Sequence, residues 1–260
     1  MTGVQTCALP IYFGYETINS EEKEGRVADV FDSVATKYDL MNDVMSAGVH
    51  RMWKNWYIWQ TEVKPGEHVL DLAAGTGDIT LRLAKRMRGK DGDIEGRLVS
   101  SDINASMLKI GEERLTNKGW LKNLEFVIAN VEALPFPDNS FDLITMSFGL
   151  RNVTHQDKAL SEIARVLKPG GRVLVLEFSR PKNAVVSRFY DWYSFTFLPK
   201  MGELIARDRD SYQYLAESIR MHPPQEELKA MFAAAGLENC EYQNLSNGIV
   251  AIHKGKKPHA

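Results

Sequence analysis

The run His68-Val69-Leu70-Asp71-Leu72-Ala73-Ala74-Gly75-Thr76-Gly77-Asp78 constrains the fold of this chain more than any other stretch. An apolar segment breaks into small residues and two glycines, and a helical pattern starts directly behind them. A strand that ends in such a turn, with a helix N-terminus following, forms the nucleotide-binding corner of an open α/β sheet. Glycine serves such a corner in two ways: it lets a ligand approach the backbone, or it lets two elements pack closely. This stretch alone leaves both readings open.

The 260 residues, 44% apolar and 25% charged, are enough to bury the core of one large domain. A formal charge of −2 gives no basic excess, so no nucleic-acid partner is expected. Cys7 and Cys240 are too few for a disulfide framework and lack metal-ligand spacing, which fits a reducing compartment. The six histidines are scattered, so no metal is expected. His222, ahead of Pro223-Pro224, is the histidine to consider as a buried catalytic group, but packing or a turn hydrogen bond is the role expected of it. No apolar run approaches the roughly 18–20 residues that cross a bilayer. Met1 to Ile11 lacks the features of a signal peptide and resembles cloning-derived sequence, so residues 1–19 are expected to be a disordered or artefactual leader.

From Ser20, with Glu21, Glu22 and Glu24 in its first turn, a helix is predicted. A second amphipathic stretch, Val44 to Trp59, carries Trp53, Trp56, Tyr57 and Trp59, which either pack in the core or wall an apolar pocket. Beyond Pro65-Gly66 the pattern alternates strand and helix. The glycine turn leads into a helix over Ile79–Met87, and the strand Leu98–Asp102 precedes a helix over Ser106–Lys118. Strands over Leu124–Ala129 and Phe141–Phe148 follow, then a helix over His155–Leu167 that Lys168-Pro169-Gly170-Gly171 stops, and a strand over Arg172–Phe178. Such alternation demands a parallel sheet with right-handed crossovers. Two terminal strands, Leu237–Leu245 and Gly248–His253, are joined through Ser246-Asn247 as an antiparallel hairpin at the sheet edge.

Asp102 closes the second strand, where a carboxylate has the oxygens to accept both hydroxyls of a ribose. Capping the next helix is the alternative. A nicotinamide dinucleotide is disfavoured because the position three after Gly77 is Thr80, not glycine.

The turn Asp71-Leu72-Ala73-Ala74-Gly75-Thr76-Gly77 resembles motif I of class I S-adenosylmethionine-dependent methyltransferases, with Ala73 where many of them have glycine. Longer runs are more specific: Leu134-Pro135-Phe136-Pro137-Asp138-Asn139-Ser140-Phe141-Asp142, Ser147-Phe148-Gly149-Leu150-Arg151-Asn152-Val153 and Arg165-Val166-Leu167-Lys168-Pro169-Gly170-Gly171. Together with Tyr38-Asp39-Leu40-Met41-Asn42-Asp43 and Tyr214-Leu215-Ala216-Glu217-Ser218-Ile219-Arg220-Met221-His222-Pro223, they are similar to the UbiE ubiquinone/menaquinone C-methyltransferase family over Glu21 to Lys254.

The resemblance implies a Rossmann-like α/β fold: a seven-stranded, mostly parallel sheet with one antiparallel edge strand and helices on both faces. The domain would run over 20–260, divided into an N-terminal helical cap (20–64), a cofactor-binding core (65–179), an aromatic helical lid (180–222) and a last helix with terminal strands (223–260). It implies S-adenosyl-L-methionine as methyl donor, S-adenosyl-L-homocysteine as product and a polyprenyl quinol as acceptor. Cofactor contacts are expected at Asp71, Gly75, Thr76, Gly77, Asp102, Asn130, Val131 and Ser147. Arg151 is the catalytic candidate, as proposed for the matching arginine of the family. A guanidinium with pKa above ~12 does not release its proton, so its expected role is to stabilise a forming phenolate, directly or through water. A surface salt bridge to Asp142 or Asp157 is the competing reading.

The aromatic stretch Val185–Leu198, beside Arg188, Lys200 and Arg207, would form a lid and a membrane-surface contact, or else a dimer interface or core. Expected partners are thus the quinol, the membrane periphery, and a second copy or a quinone-biosynthesis complex. The expected location is the cytoplasm or the inner membrane face, on the matrix side if the protein is mitochondrial. Two rival readings are a methyltransferase with another acceptor and a cofactor-binding subunit without catalysis.

Overall fold

The computed structural model describes residues 10–35, 42, 43, 46, 48–183, 188, 193, 196 and 209–259. The expectations placed on 38–41 and on most of the aromatic stretch 185–198, with Lys200 and Arg207, lie outside the described residues. Among the described residues no helix is long and apolar enough to cross a membrane.

Seven strands form one sheet: β3 (His68–Leu72), β4 (Arg97–Asp102), β5 (Leu124–Ile128), β6 (Phe141–Ser147), β7 (Leu167–Phe178), β8 (Glu238–Leu245) and β9 (Val250–Lys256). Their order is β5-β4-β3-β6-β7-β9-β8. β3 through β7 pair in parallel, while β9 runs antiparallel to both β7 and β8. The one reversed strand expected near the sheet edge is therefore β9, placed just inside edge strand β8, and the terminal hairpin forms as expected. The order reverses between β4 and β6 around β3, which puts the glycine turn at the topological switch point where open α/β sheets bind ligands.

Alternate residues of the central strands enter two separate apolar layers. Leu70, Ile144 and Val175 pack with Leu160 and Ile163 of α5 (Gln156–Val166) and with Leu228 and Phe232 of α7 (Gln225–Ala234). Val69, Leu143 and Leu174 pack with Trp53, Tyr57 and Ile58 of α2 (Val49–Thr61) and with Ile79 and Leu83 of α3 (Asp78–Arg86). The remaining helices are α1 (Ser20–Val34), α4 (Ala105–Thr116) and α6 (Arg209–Met221).

Two expectations require correction. The first concerns the leader, because residues within it form a hairpin, β1 (Ile11–Phe13) and β2 (Glu16–Ile18). Phe13 stacks on Tyr214 of α6 at 4.1 Å, the Arg26 guanidinium covers the Phe13 ring, and the Tyr15 amide donates to Glu217. Aromatic stacking onto the main body gives this short segment the burial it could not find alone.

The second concerns Lys168-Pro169-Gly170-Gly171, which follows the end of the helix as expected but lies within the next strand and not ahead of it. Helix α5 ends at Val166, and strand β7 already begins at Leu167, opposite Phe141. Pairing resumes at Leu143 and Arg172, so the intervening residues bulge out of the ladder. Lys168 bonds Asp142 at 2.7 Å, and a Cβ on Gly171 would stand 2.8 Å from the Lys168 carbonyl oxygen.

Candidate active site

Above the carboxyl ends of β3 to β6 lies a cavity of about 890 Å³, counting the space open to solvent at its mouth. Gly75, Asp102, Asn130, Val131 and Ser147 all line it. Five residues expected at a cofactor thus converge from the ends of four strands. Glu24, Val27, Ala28 and Phe31 of α1 form the opposite wall. The sequence had offered the aromatic stretch of α2 for that role. Instead Trp53 and Tyr57 are buried in the core beneath the sheet, Trp56 and Trp59 face outward, and none of the four lines the cavity.

At the turn, the Gly75 amide donates to Asp102 Oδ2 at 2.8 Å, and the Asn104 amide donates to Asp102 Oδ1 at 2.8 Å. The glycine turn and the end of β4 are therefore locked together through one carboxylate. Burial pushes the Asp102 carboxyl above the ordinary carboxylate range, while hydrogen bonds from the Asn104 and Gly75 amides work against the shift. Each oxygen retains lone-pair capacity toward the cavity. Asn104 takes the capping role that had been the alternative for Asp102: its side chain accepts from the Met107 amide at 2.9 Å and caps α4.

Gly77 and Thr76 do not line the cavity. Gly77 has φ +75°, and a Cβ there would meet Leu115 at 2.8 Å and the Gly111 backbone at 3.2 Å. Its missing side chain lets α4 approach the turn, which is the packing use of glycine, whereas Gly75 is on the ligand side. The Thr76 hydroxyl accepts from Arg114 at 3.4 Å. Asp71 lies deeper, almost fully buried, and accepts from the Thr80 and Thr145 hydroxyls at 2.6 and 2.8 Å. Burial raises its carboxyl to about 7, against the two threonine bonds.

Across the cavity, Asn130 Nδ2 donates to Glu24 of α1 at 3.2 Å, and Asn130 Oδ1 accepts from the Glu132 amide at 2.9 Å. Lys23 of α1 is buried and donates to the Val153 carbonyl at 3.1 Å, while Asp32 accepts from Asn104 at 2.9 Å. Helix α1 is thereby pinned along its length over the strand ends. Ser147 lines the cavity, while its hydroxyl oxygen is itself buried and has no hydrogen-bond partner among the described residues. A buried hydroxyl left without a partner beside a ligand cavity calls for one.

Beyond Ser147, residues Leu150–Asn152 make one 3₁₀ turn. Asn152 lines the cavity, and its Oδ1 accepts from the Tyr214 hydroxyl at 3.0 Å. Arg151 points away from that surface. It is buried and paired with Glu177 at 2.8 Å, so the surface salt bridge to Asp142 or Asp157 is not formed. Asp142 is taken by Lys168 and by the His68 amide. Sequence reasoning missed Glu177, Asn152 and the α1 wall. His222 is buried as expected, but neither ring nitrogen has a hydrogen-bond partner among the described residues, so the expected turn bond is not made by the side chain.

The sheet order, with a ligand cavity at its switch point and a carboxylate closing the strand next to it, is the Rossmann-like arrangement expected of class I S-adenosylmethionine-dependent methyltransferases. The fold is shared with the [4+2]-cyclase SpnF (TM-score 0.66, 17% identity, 90% of this chain and 96% of that one). It is also shared with a methyltransferase of Thermotoga maritima described as a possible histamine N-methyltransferase (TM-score 0.60, 17% identity, 88% and 99%). At such identities the likeness shows the fold alone, and a cyclase among the neighbours illustrates why.

The sequence comparison is narrower. Residues 19–257 match the ubiE/COQ5 methyltransferase family, and the chain belongs to it. Proteins named ubiquinone/menaquinone biosynthesis C-methyltransferase UbiE, from Teredinibacter turnerae and Edwardsiella ictaluri, are 57% and 59% identical over 246 residues. The match covers 95% of this chain and 97% and 96% of theirs. The protein is an S-adenosylmethionine-dependent methyltransferase.

Proposed function

We propose that this enzyme moves the methyl group of S-adenosylmethionine onto a ring carbon of a polyprenyl quinol, in the biosynthesis of ubiquinone, menaquinone or both. The observation that carries the reading is the 57–59% identity to UbiE C-methyltransferases over 95% of the chain, joined to a cavity that Asp102, Asn130 and Ser147 line together. When bound, S-adenosylmethionine supplies an electrophilic methyl group on a sulfonium, so the chain needs no nucleophile of its own.

The residues have distinct tasks in this reading. Asp102 accepts the ribose hydroxyls, and Asn130 with Val131 meets the adenine. Gly75 lets the amino-acid end approach the backbone, and Ser147 gives its hydroxyl at the end nearest the reacting centre. Behind Gly75, the buried Asp71, Thr76 and Gly77 hold the turn in shape. Helix α1 covers these groups and excludes water, which strengthens each polar contact.

The acceptor ring becomes nucleophilic at carbon when its hydroxyl, with a pKa near ~10 by analogy with tyrosine, gives up its proton and charge reaches the ortho position. Arg151 and Asn152, on one turn beside Ser147, stabilise that developing oxyanion, with Asn152 at the surface and the Arg151 charge behind it. The ring carbon gains the methyl group and then loses its own proton to water, which restores aromaticity, and the ring oxygen takes a proton back, so that one proton is released overall. A long isoprenoid tail requires access to a lipid surface, so the reading includes peripheral membrane contact.

The test uses quinones extracted from cells lacking the gene. Accumulation of demethylmenaquinone, of a demethylated ubiquinone precursor, or of both names the acceptor, and an unchanged quinone pool removes the reading. In the purified protein, Asp102→Ala should weaken S-adenosylhomocysteine binding about a hundredfold by calorimetry, since it removes a ligand group and leaves two backbone amides unpaired.

A further inference from the structure

Glu177, at the end of β7, is almost completely buried, and its carboxylate is shared among three donors. Oε1 accepts from the Arg151 guanidinium at 2.8 Å and from the Phe178 amide at 2.9 Å, and Oε2 accepts from the Arg151 amide at 3.2 Å. The same guanidinium nitrogen also donates to the Phe148 carbonyl, and the guanidinium lies 5.4 Å from the Phe178 ring centroid. One carboxylate thus fastens both the backbone and the side chain of Arg151 to the neighbouring strand.

We infer that Glu177 is a positioning residue for methyl transfer: it fixes the Leu150–Asn152 turn, and with it Arg151 and the cavity-facing Asn152, relative to Ser147. The inference rests on the proposed methyl transfer to a quinol. Two features of the pair separate positioning from plain stability. First, the side chains of Arg151 and Glu177 are 4% and 1% exposed, so the pair has little water to replace a lost partner. A buried pair of this kind is poor evidence for stability and stronger evidence for a required geometry. Second, the negative charge of Glu177 partly offsets the positive charge of Arg151, so the acceptor's oxygen meets, behind Asn152, less positive charge than the guanidinium alone would give. Tyr214, pushed up to about 12 by burial, and His222, pushed down to about 3 by burial, are titratable groups beside this charge among the described residues. Both are uncharged at neutral pH. Removing the Glu177 charge alone leaves Arg151 as a net cation, which favours ionisation of the acceptor even as the turn loses its anchor.

The experiment measures Glu177→Gln, Glu177→Asp, Arg151→Met and the double variant Arg151→Met/Glu177→Met against the unaltered enzyme. The probes are short-tailed 2-prenyl naphthoquinol and 2-prenyl-6-methoxybenzoquinol, with S-adenosylhomocysteine binding read separately. For Glu177→Gln, kcat should fall about a hundredfold, as for a misplaced reacting group, with cofactor affinity unchanged and the ascending limb of kcat against pH moved toward lower pH. Glu177→Asp, which keeps the charge with a shorter reach, should recover part of kcat and return the limb to its original place. The double variant, which removes the pair without stranding a charge, should fold and bind S-adenosylhomocysteine while remaining as slow as Arg151→Met.

If Glu177→Gln lowers only the melting temperature, and kcat per folded enzyme and the pH limb stay in place, the positioning role is overturned. Recovery of full turnover in the double variant would overturn it as well. Failure of the unaltered enzyme to methylate either quinol would instead sink the functional reading, and this inference with it.

Discussion

Ala73 and Gly149 share one space at the floor of the cavity: a Cβ built on Gly149 would overlap the Ala73 methyl group. Ala73 stands at φ +49°, in the left-handed region that suits glycine. Its side chain is tolerated there because the facing strand end carries none. An alanine where many methyltransferases have glycine is therefore compensated by Gly149 at the end of the neighbouring strand, where Phe148 stands at φ +58°. Relieving the backbone strain by Ala73→Gly should change stability by no more than about 1 kcal/mol, since the strain removed is opposed by added freedom of the unfolded chain. Gly149→Ala should cost about 3 kcal/mol from overpacking, and the double variant should regain most of it. Urea unfolding of the four proteins measures the coupling, and strictly additive losses would contradict the shared space.

His222 is predicted to make the enzyme acid-sensitive. Burial, and then the charges of Arg151 and Arg180, push its imidazole down to about 3. The unfolded chain takes up this proton below about 6.5, whereas the folded chain does not until much lower pH. Between those values the unfolded state binds more protons, so the contribution is complete above pH 6.5 and is lost as pH falls toward 3. At pH 5 the loss is on the order of 2 kcal/mol. His253, pushed down to about 3 mainly by burial, adds a loss of the same sign. His222→Phe keeps the ring volume and removes two unpartnered buried nitrogens, so it should raise the melting temperature at pH 5 more than at pH 8, with turnover at pH 8 retained. An equal shift at both values would refute the assignment.

Asp71 works in the opposite direction. Its carboxyl is raised to about 7 in the folded protein against an unfolded value of 3.8, so between these values the folded state holds more protons. Its contribution to stability is greatest at low pH and declines as pH rises through that window, by an amount on the order of a few kcal/mol when complete. Asp71→Asn keeps one acceptor for Thr80 or Thr145, and the other hydroxyl can turn to accept from the amide. The variant should be stabilised relative to the parent at pH 8 and much less so at pH 5.5. A difference independent of pH would show that Asp71 is ionised throughout.

These particulars also mark how far the sequence alone could reach. The glycine turn and Asp102 were legible because they occur at strand ends, which the chain's alternation makes coincide in space, whereas Asn130 and Ser147 came through the family resemblance and also fall at strand ends. Glu177 was not legible: a glutamate at the end of an apolar strand gives no sign that a crossover brings it onto Arg151, which is 26 residues earlier. Helix α1 shows the same ambiguity in another form. Its apolar positions Val27 and Phe31 would read identically whether they covered core or cavity, and only tertiary contact settles which. Lys168-Pro169-Gly170-Gly171 has the composition of a helix stop and of a strand bulge alike. The pairing of Phe141 with Leu167 decides for the bulge.

Tyr57 provides the sharpest test of how the layers beneath the cavity support it. It comes from the aromatic stretch that could have walled the pocket, yet it is completely buried under the sheet. Its hydroxyl donates to the Leu174 carbonyl at 2.7 Å and accepts the Met146 amide at 3.0 Å, so it bridges β7 and β6 one residue before Ser147. Burial drives its pKa well above the ordinary value of 10.0, and the group remains a donor at every working pH. Tyr57→Phe preserves the ring but strands a buried amide and a buried carbonyl, for an expected cost of about 2 kcal/mol in urea unfolding. The effect should be local: in hydrogen exchange the Met146 amide should lose protection while the amide of Ile144 keeps it. Because Ser147 follows directly, kcat should fall, while S-adenosylhomocysteine affinity, carried largely by the ends of β3, β4 and β5, should hold. Uniform loss of protection across β6 and β7 would mean that Tyr57 supports the whole sheet instead of the strand end beneath Ser147.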